Sequence, residues 1–84
     1  MHYVYILKLA NGQLYAGLTD DLTRRYNEHR TGRSPFTCKR LPVQLIFYEA
    51  FSHHLDAEKR ERYFKTTKGK ATLRAMLRNG YSPN

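Results

Sequence analysis

The first residues of the chain alternate so that apolar side chains lie on both faces of an extended strand. In residues 3–9, one face carries Tyr3, Tyr5, Leu7 and Leu9, and the other carries Val4 and Ile6. A strand covered on both sides is typical of the centre of a sheet. Residues 14–18 predict its antiparallel partner, because the intervening Asn-Gly pair tolerates the positive φ angles of a tight primed turn. The chain is therefore predicted to begin with a β-hairpin, in which Gly17 leaves space for a close approach.

The apolar spacing lengthens after the hairpin and predicts a helix from about Asp20 to Thr31, capped by Thr19 or Asp20 and stopped by Gly32. Further along, strand-forming and helix-forming segments are separated by breakers. They predict a loop over 32–42, a third strand over 43–51, helices over 56–66 and 71–79, a hinge at Lys68-Gly69-Lys70 and a frayed tail over 81–84. The order β-β-α-β-α-α predicts an α+β fold, with helices packed on one small three-stranded sheet.

Length and composition limit the size of the core. Eighty-four residues, 40% of them hydrophobic, suffice for one modest core, so a single domain over 1–84 is predicted. The one cysteine, Cys38, excludes an intramolecular disulfide, and no Cys/His spacing suggests structural zinc. No apolar run approaches the ~20 residues that span a bilayer, and the start lacks the n-region of a signal peptide. A cytoplasmic protein is expected.

The charge is strongly unbalanced. Fifteen Lys and Arg residues against seven Asp and Glu residues give a formal charge of +8. Such a charge attracts polyanions over a long range, so nucleic acid is the leading expected partner. A charge that only aids solubility, a ribosomal partner and a membrane surface remain open alternatives. The candidate nucleic-acid-binding residues are Arg24, Arg33, Lys39, Arg40, Lys65, Lys68 and Lys70.

Several polar side chains occupy positions that the periodicity turns inward. The first helix carries Arg25 and His29 on its apolar stripe, and the second carries Glu61 on its own. The hairpin adds Tyr5 and Tyr15. Because a buried charge is tolerated when it is paired, one interpretation is a buried Arg25–Glu61 ion pair with the tyrosines as ordinary core aromatics.

The other interpretation is a site that breaks phosphodiester bonds. Hydrolysis requires a deprotonated water, neutralised phosphate oxygens and a stabilised leaving alkoxide. A tyrosine, whose pKa is ordinarily ~10, acts as a base or relay at neutral pH only if cationic neighbours such as Arg25 favour its phenolate. Mg²⁺ is often held by one or two carboxylates together with substrate phosphate, so Glu61 is sufficient in principle.

Short motifs in a fixed order support the second interpretation. Tyr3-Val4-Tyr5 and Tyr15-Ala16-Gly17 stand ten residues apart, followed by a helix segment at 21–29 and further matching stretches at 36–49 and 57–65. Over about residues 3–77 the chain resembles the GIY-YIG nuclease superfamily. The resemblance is to its small single-domain bacterial branch, which is similar to the nuclease domain of structure-specific and excision-repair endonucleases. The chain differs from the family motifs at Tyr3, which replaces glycine, and at Ala16, which replaces isoleucine.

The resemblance implies a three-stranded antiparallel sheet flanked by helices. It also implies an endonuclease that hydrolyses DNA in repair or recombination and depends on Mg²⁺ or another divalent cation such as Mn²⁺. Tyr5, Tyr15, Arg25 and His29 match catalytic positions of the family, and Glu61 matches its metal ligand. A catalytically weak nucleic-acid-binding module is the alternative function. A protein partner that supplies specificity is a further expectation.

Three other polar residues carry no predicted chemistry. The adjacent His53 and His54 are interpreted as exposed turn residues, because neighbouring side chains on a turn diverge and cannot share a metal. Cys38 is interpreted as an incidental thiol, since no partner for nucleophilic catalysis stands beside it in the sequence.

Overall fold

The structure is a computed structural model that describes residues 1–80. Its strands are β1 (His2–Lys8), β2 (Leu14–Thr19) and β3 (Gln44–Phe51), and its helices are α1 (Leu22–Arg30), α2 (His54–Phe64) and α3 (Thr67–Met76). The predicted α+β class and the order β-β-α-β-α-α are confirmed. The tail predicted over 81–84 lies outside the described residues.

The sheet is antiparallel, and β1 occupies its centre. The strand order is β2-β1-β3, so the predicted central position of the first strand is confirmed. One face packs against α2 and α3 in a cluster of Val4, Ile6, Ala16, Ala57, Phe64 and Leu73. The other face packs against α1 in a cluster of Tyr5, Leu7, Leu9 and Val43, with Leu22 and Tyr26 against it. Helices therefore cover both faces, as the two-sided apolar pattern of β1 requires.

The hairpin turn differs from the prediction. Gly12 has φ +86°, but no non-glycine residue in 1–80 has a positive φ, so Asn11 does not. A primed turn of the Asn-Gly type needs positive φ at both central residues, so the predicted primed turn is wrong. Instead, the Gly12 amide donates to the Leu9 carbonyl at 2.9 Å, and the Leu9 amide donates to the Gln13 carbonyl at 2.8 Å. The hairpin is therefore closed by a turn in which only Gly12 has a positive φ.

The start of α1 also lies later than predicted. The Asp21 carboxylate accepts a hydrogen bond from the Arg24 amide at 3.1 Å, so Asp21 is the N-cap instead of Thr19 or Asp20. The predicted stop is confirmed, because Gly32 has φ +81°, a conformation that favours glycine after a helix end.

The predicted hinge at 68–70 is wrong, because these residues lie inside α3. The Thr66 hydroxyl caps this helix by accepting a hydrogen bond from the Gly69 amide at 3.0 Å. Gly69 is buried, and a Cβ atom there would lie 1.8 Å from the Tyr63 carbonyl oxygen. This glycine therefore permits close packing of α3 on the end of α2 and does not loosen the chain.

We expect Gly69→Ala to lower the free energy of unfolding by about 3 kcal/mol, because the added methyl group meets backbone that cannot rotate away. Urea denaturation measures the change. Gly80→Ala is the matched control, since its Cβ would come no closer than 3.9 Å to the Leu77 carbonyl oxygen. A stability loss below about 0.5 kcal/mol for Gly69→Ala would contradict the packing argument.

Candidate active site

Tyr5 lies at the centre of the site because its cross-strand neighbour has no side chain. Tyr5 on β1 is paired with Gly17 on β2, and the tyrosine is 2% exposed. A Cβ atom at Gly17 would lie 2.2 Å from both Cζ and the hydroxyl oxygen of Tyr5. The close approach predicted at Gly17 therefore occurs, and the neighbour is the tyrosine ring. The ring crosses β2 at this point, which carries its hydroxyl toward the outer edge of the sheet.

The Tyr5 hydroxyl belongs to a buried chain of hydrogen bonds. Its oxygen lies 2.8 Å from Nε2 of His29, and Nδ1 of the same ring lies 2.8 Å from the Thr37 hydroxyl oxygen. Both His29 and Thr37 are fully buried. Thr37 was missed by the sequence analysis, because a single hydroxyl in an irregular loop belongs to no periodic pattern. The loop after α1 thus supplies a third polar group behind the tyrosine.

Burial sets the protonation states of this pair. Burial, reinforced by the Arg25 charge, lowers the pKa of His29 to about 4, so its imidazole is neutral at pH 7. Burial raises the pKa of Tyr5 to about 12; the neighbouring Arg25 opposes this shift, and the Tyr15 and Glu61 groups add to it. Arg25 therefore acts in the expected direction, but burial outweighs it. At neutral pH the phenol keeps its proton.

Arg25 is partly buried beside the tyrosine, and its partner is not Glu61. Its guanidinium donates to Glu28 Oε1 at 3.0 Å and to the Ser34 hydroxyl at 3.4 Å. Glu61 instead accepts from Lys65, with Nζ 2.8 Å from Oε2. The alternative of a closed Arg25–Glu61 pair is wrong, because each charge has a partner within one turn of its own helix.

Tyr15 lies between the buried chain and an exposed aromatic ring. Its ring centroid is 5.4 Å from that of His29, in an edge contact, and 5.1 Å from that of Phe36, in a stacked contact. The Arg40 guanidinium lies over Phe36, 4.2 Å from the ring centroid. Phe36 is 45% exposed, and its place in the site is not predicted by the sequence pattern. Because Phe36 lies in an irregular loop, no helical or strand periodicity predicts this stacking.

Glu61 approaches the tyrosine from the opposite layer of the protein. It lies on α2, whereas Arg25 and His29 lie on α1, which covers the other face of the sheet. Its charge nevertheless contributes to the raised pKa of Tyr5. The Glu61 side chain is only 16% exposed. Charged groups from both layers therefore act on the Tyr5 hydroxyl.

The donor set at this point fits a weakly held divalent cation. A carboxylate oxygen is a ligand that Mg²⁺ prefers, and Mg²⁺ needs few protein ligands because it keeps several waters. Within residues 1–80 no three His, Cys, Asp or Glu side chains form a metal-binding group, so a cation at Glu61 would have at most two protein ligands of these types. Lys65, whose side chain is 52% exposed, can leave Glu61 at little cost.

The predicted nucleic-acid-binding residues lie on separate surfaces. Arg24 and Arg33 line a shallow depression beside α1, where Arg24 also pairs with Asp20 and Asp21 at 3.7 and 3.9 Å. Lys65 and Lys70 line a groove that Tyr15 also borders. Arg40 covers Phe36, which borders the same groove, whereas Lys39 and Lys68 are exposed and line neither surface.

The residues without predicted chemistry have structural contacts. Nδ1 of His53 accepts the Leu55 amide at 3.1 Å and caps α2. Nε2 of His54 lies 3.1 Å from Glu58 on the exposed face of the same helix. The exposed Cys38 thiol donates to the Pro35 carbonyl at 3.2 Å.

The fold and the site together define a small α+β domain with paired tyrosines on an N-terminal hairpin. The family model described as the GIY-YIG catalytic domain matches residues 1–75. The chain therefore belongs to the GIY-YIG family of nucleases, which confirms the resemblance noted in its motifs. Nuclease activity in general and a nucleic acid substrate are implied by membership, as is the dependence on divalent metal that is general in the family.

Named relatives and a solved structure lie in the same group. The chain is 44% identical to a UPF0213 protein of Bacillus pumilus over 77% of this chain and 67% of that one. It is 42% identical to the UPF0213 protein SAG0778 of Streptococcus agalactiae over 84% and 82% of the two chains. The solution NMR structure of the UPF0213 protein BH0048 from Bacillus halodurans is similar with a TM-score of 0.58 and 33% identity, covering 89% of this chain and 83% of that one. In the described part of this chain, no helix is long and apolar enough to cross a membrane.

The buried histidine makes stability depend on pH in a defined direction. The pKa of His29 is about 4 in the folded protein against an ordinary value of 6.5, so between these values the unfolded chain binds the extra proton. We therefore expect stability to fall by up to about 3 kcal/mol as the pH is lowered from about 6.5 to about 4.

Urea unfolding of the wild type and His29→Gln at several pH values isolates this contribution, because all other titrating groups are shared. The wild type should lose more stability than the variant across the window, and the His29 imidazole should titrate near pH 4 by NMR. Parallel stability curves for the two proteins would contradict the assignment.

Proposed function

We propose that the protein is a Mg²⁺-dependent DNA endonuclease that hydrolyses phosphodiester bonds in repair or recombination. The observation that supports this most strongly is the grouping of polar side chains around the Tyr5 hydroxyl. His29 bonds to it directly, and Arg25, Tyr15 and Glu61 are near enough to shift its pKa. A hydrolytic site needs a proton acceptor, a phosphate-binding cation and a carboxylate for metal, and these groups supply all three.

In this proposal Tyr5 and His29 act together on the attacking water. With a pKa of about 12, the phenol is a poor base unless it can pass its own proton on. Neutral His29 presents an acceptor at Nε2, which lies 2.8 Å from the phenol oxygen. Because a pKa of about 4 makes this imidazole a weak base, the proton would move to it only in concert with the attack of the water on phosphorus. This requires the tautomer whose Nδ1 carries hydrogen, and the Thr37 hydroxyl 2.8 Å away can accept from it. Thr37 is thus a positioning residue for His29.

Arg25 is the residue proposed to bind the phosphate of the bond that is cut. The neighbouring Glu28 carboxylate and Tyr5 hydroxyl raise its pKa despite partial burial, so it stays charged. Its side chain is 30% exposed and can reach a substrate oxygen while remaining beside the tyrosine. A planar guanidinium can make two parallel hydrogen bonds to a phosphate, which fixes the orientation of the scissile bond.

Glu61 is the proposed ligand for the divalent cation. When bound there, the cation would neutralise charge on the phosphate oxygens and on the leaving alkoxide. Lys65 holds this carboxylate at 2.8 Å and keeps a positive charge beside it when no other cation is bound. Because that lysine is half-exposed, the ion pair is of the weak surface type and does not block exchange.

Glu61→Gln should reduce Mg²⁺-dependent cleavage of branched, nicked and flap DNA by at least about 100-fold, because it removes the proposed metal ligand at nearly constant volume. Cleavage by equal amounts of the variants is followed on gels with and without Mg²⁺. Glu58→Gln is the control, one turn earlier on α2, where Glu58 pairs with His54 and Arg62 at 3.1 Å each. The endonuclease would be refuted if Glu61→Gln cleaved DNA at the wild-type rate, or if the wild type cleaved none of the substrates.

A nucleic-acid-binding module without turnover is the second candidate. The observation in its favour is that the two proposed working charges already have partners, since Arg25 is 3.0 Å from Glu28 and Glu61 is 2.8 Å from Lys65. The formal charge of +8 alone supports binding. In this case the site would only stabilise the fold, and bound nucleic acid would not displace these ion pairs.

Arg25→Ala separates the two candidates. For the binding module, salt-dependent binding to DNA should change by less than about three-fold, because one partly buried cation contributes little to the total charge. For the endonuclease, the same variant should lose cleavage by at least about 100-fold while retaining that binding. Fluorescence anisotropy at several salt concentrations measures binding, and Arg30→Ala on the exposed face of α1 is the control. Absence of binding at low salt would rule out both candidates.

A further inference from the structure

A groove runs beside the outer edge of β2, between the loop after α1 and the α2–α3 pair. Its cavity volume is about 230 Å³. This is below the roughly 300–1,000 Å³ of a typical small-molecule pocket, so it suits a chain that passes through it better than an enclosed ligand. Its apolar lining consists mainly of Leu14 and of the buried core residues Ala16, Phe64 and Leu73.

The rim of the groove is positively charged. Lys65, Lys70 and Arg74 line it, and no carboxylate is among the described residues that do so, although Lys65 pairs with Glu61 next to the groove at 2.8 Å. Within residues 1–80, Lys70 and Arg74 form no ion pair, so their charge is available to a partner. The depression beside α1 differs, because Glu28 lines it and Arg24 is paired with Asp20 and Asp21 there. The groove beside β2 is thus the better match for a polyanion.

One end of the groove is a stack of flat groups. Tyr15 and Phe36 lie 5.1 Å apart at an interplanar angle of 26°, and Arg40 lies 4.2 Å from the Phe36 ring centroid. Phe36 remains 45% exposed although it is large and apolar. Aromatic rings and guanidinium planes are the groups on which unpaired bases stack. Since Tyr15 also borders the buried chain of Tyr5 and His29, the stack joins the groove to the candidate active site.

We propose that this groove binds a single-stranded segment of nucleic acid, with phosphates along Lys65, Lys70 and Arg74 and bases on the Tyr15–Phe36 stack. A duplex would gain little from these surfaces, because its base faces are covered inside the helix. The preferred substrate is then DNA with an unpaired strand next to the bond that is cut. Only this last consequence rests on the proposed endonuclease activity.

Binding without cleavage provides the first test. An oligothymidylate of about 12 nucleotides carrying a fluorophore is titrated with protein in EDTA, and a blunt duplex of equal length is the competitor. Lys70→Glu should weaken binding of the single strand by at least about five-fold and reduce its salt dependence. Lys59→Glu makes the same charge change at an exposed position of α2 outside the groove and should change binding by less than about two-fold.

A fluorescent reporter provides the second test. The chain contains no tryptophan, so Phe36→Trp places a single indole at the stack. Oligothymidylate should quench its emission, because bases stack on the ring. Tyr48→Trp is the control at an aromatic position on β3 that is 53% exposed and lies outside the groove, and its emission should not change.

The proposal fails if Lys70→Glu and Lys59→Glu weaken binding equally, if the duplex competes as well as the single strand, or if both tryptophans respond alike. Its failure is separable from failure of the endonuclease. Quenching at position 36 together with no cleavage of any DNA would leave the groove established and refute the nuclease. Efficient cleavage with no effect of Lys70→Glu on single-strand binding would do the reverse.

Discussion

The hydrogen-bonded chain from Tyr5 through His29 to Thr37 is the interaction on which the rest of the structure depends. It joins the central strand, the first helix and the loop after that helix, with both heavy-atom distances at 2.8 Å. Each of these polar groups would be costly to bury without a partner. No buried side-chain nitrogen or oxygen atom in residues 1–80 lacks one. The groups proposed to move a proton are therefore also groups that fix the position of α1 on the sheet.

The hydrogen-bonded chain can form because Gly17 leaves room for the Tyr5 ring. Any side chain there would overlap the end of Tyr5, and the phenol could not reach over the edge strand. The crossing matters because the sheet otherwise separates α1 from α2. At the edge of β2, Arg25 and Glu61 can act on one oxygen from opposite layers, as their effects on the pKa of Tyr5 indicate. A three-stranded sheet thus gains a site without a deep cavity, and Tyr15 belongs both to this site and to the lining of the groove.

The periodicity of apolar residues predicts the order of the strands and helices and the faces that they bury. The alternation in β1 gave both clusters of the core, and the helical stripes correctly turned Arg25 and His29 inward. Thr37 and Phe36 could not be found in this way, because their roles depend on contacts with residues distant in the sequence. The hinge error at Gly69 has the same origin: a glycine that admits a neighbouring carbonyl looks, in sequence, like one that loosens the backbone.

The site combines a rigid part with an adaptable part. The Tyr5–His29–Thr37 chain is buried, so breaking any link would leave an unsatisfied group in the core, at about 1–3 kcal/mol. The Arg25–Glu28 and Lys65–Glu61 pairs are partly exposed and lie within single helices. Pairs of this type contribute at most about 1 kcal/mol, so an incoming phosphate or cation can replace either partner. The resting ion pairs are therefore compatible with the proposed activity: they hold Arg25 and Glu61 near Tyr5, while the buried hydrogen-bonded chain holds the tyrosine in place.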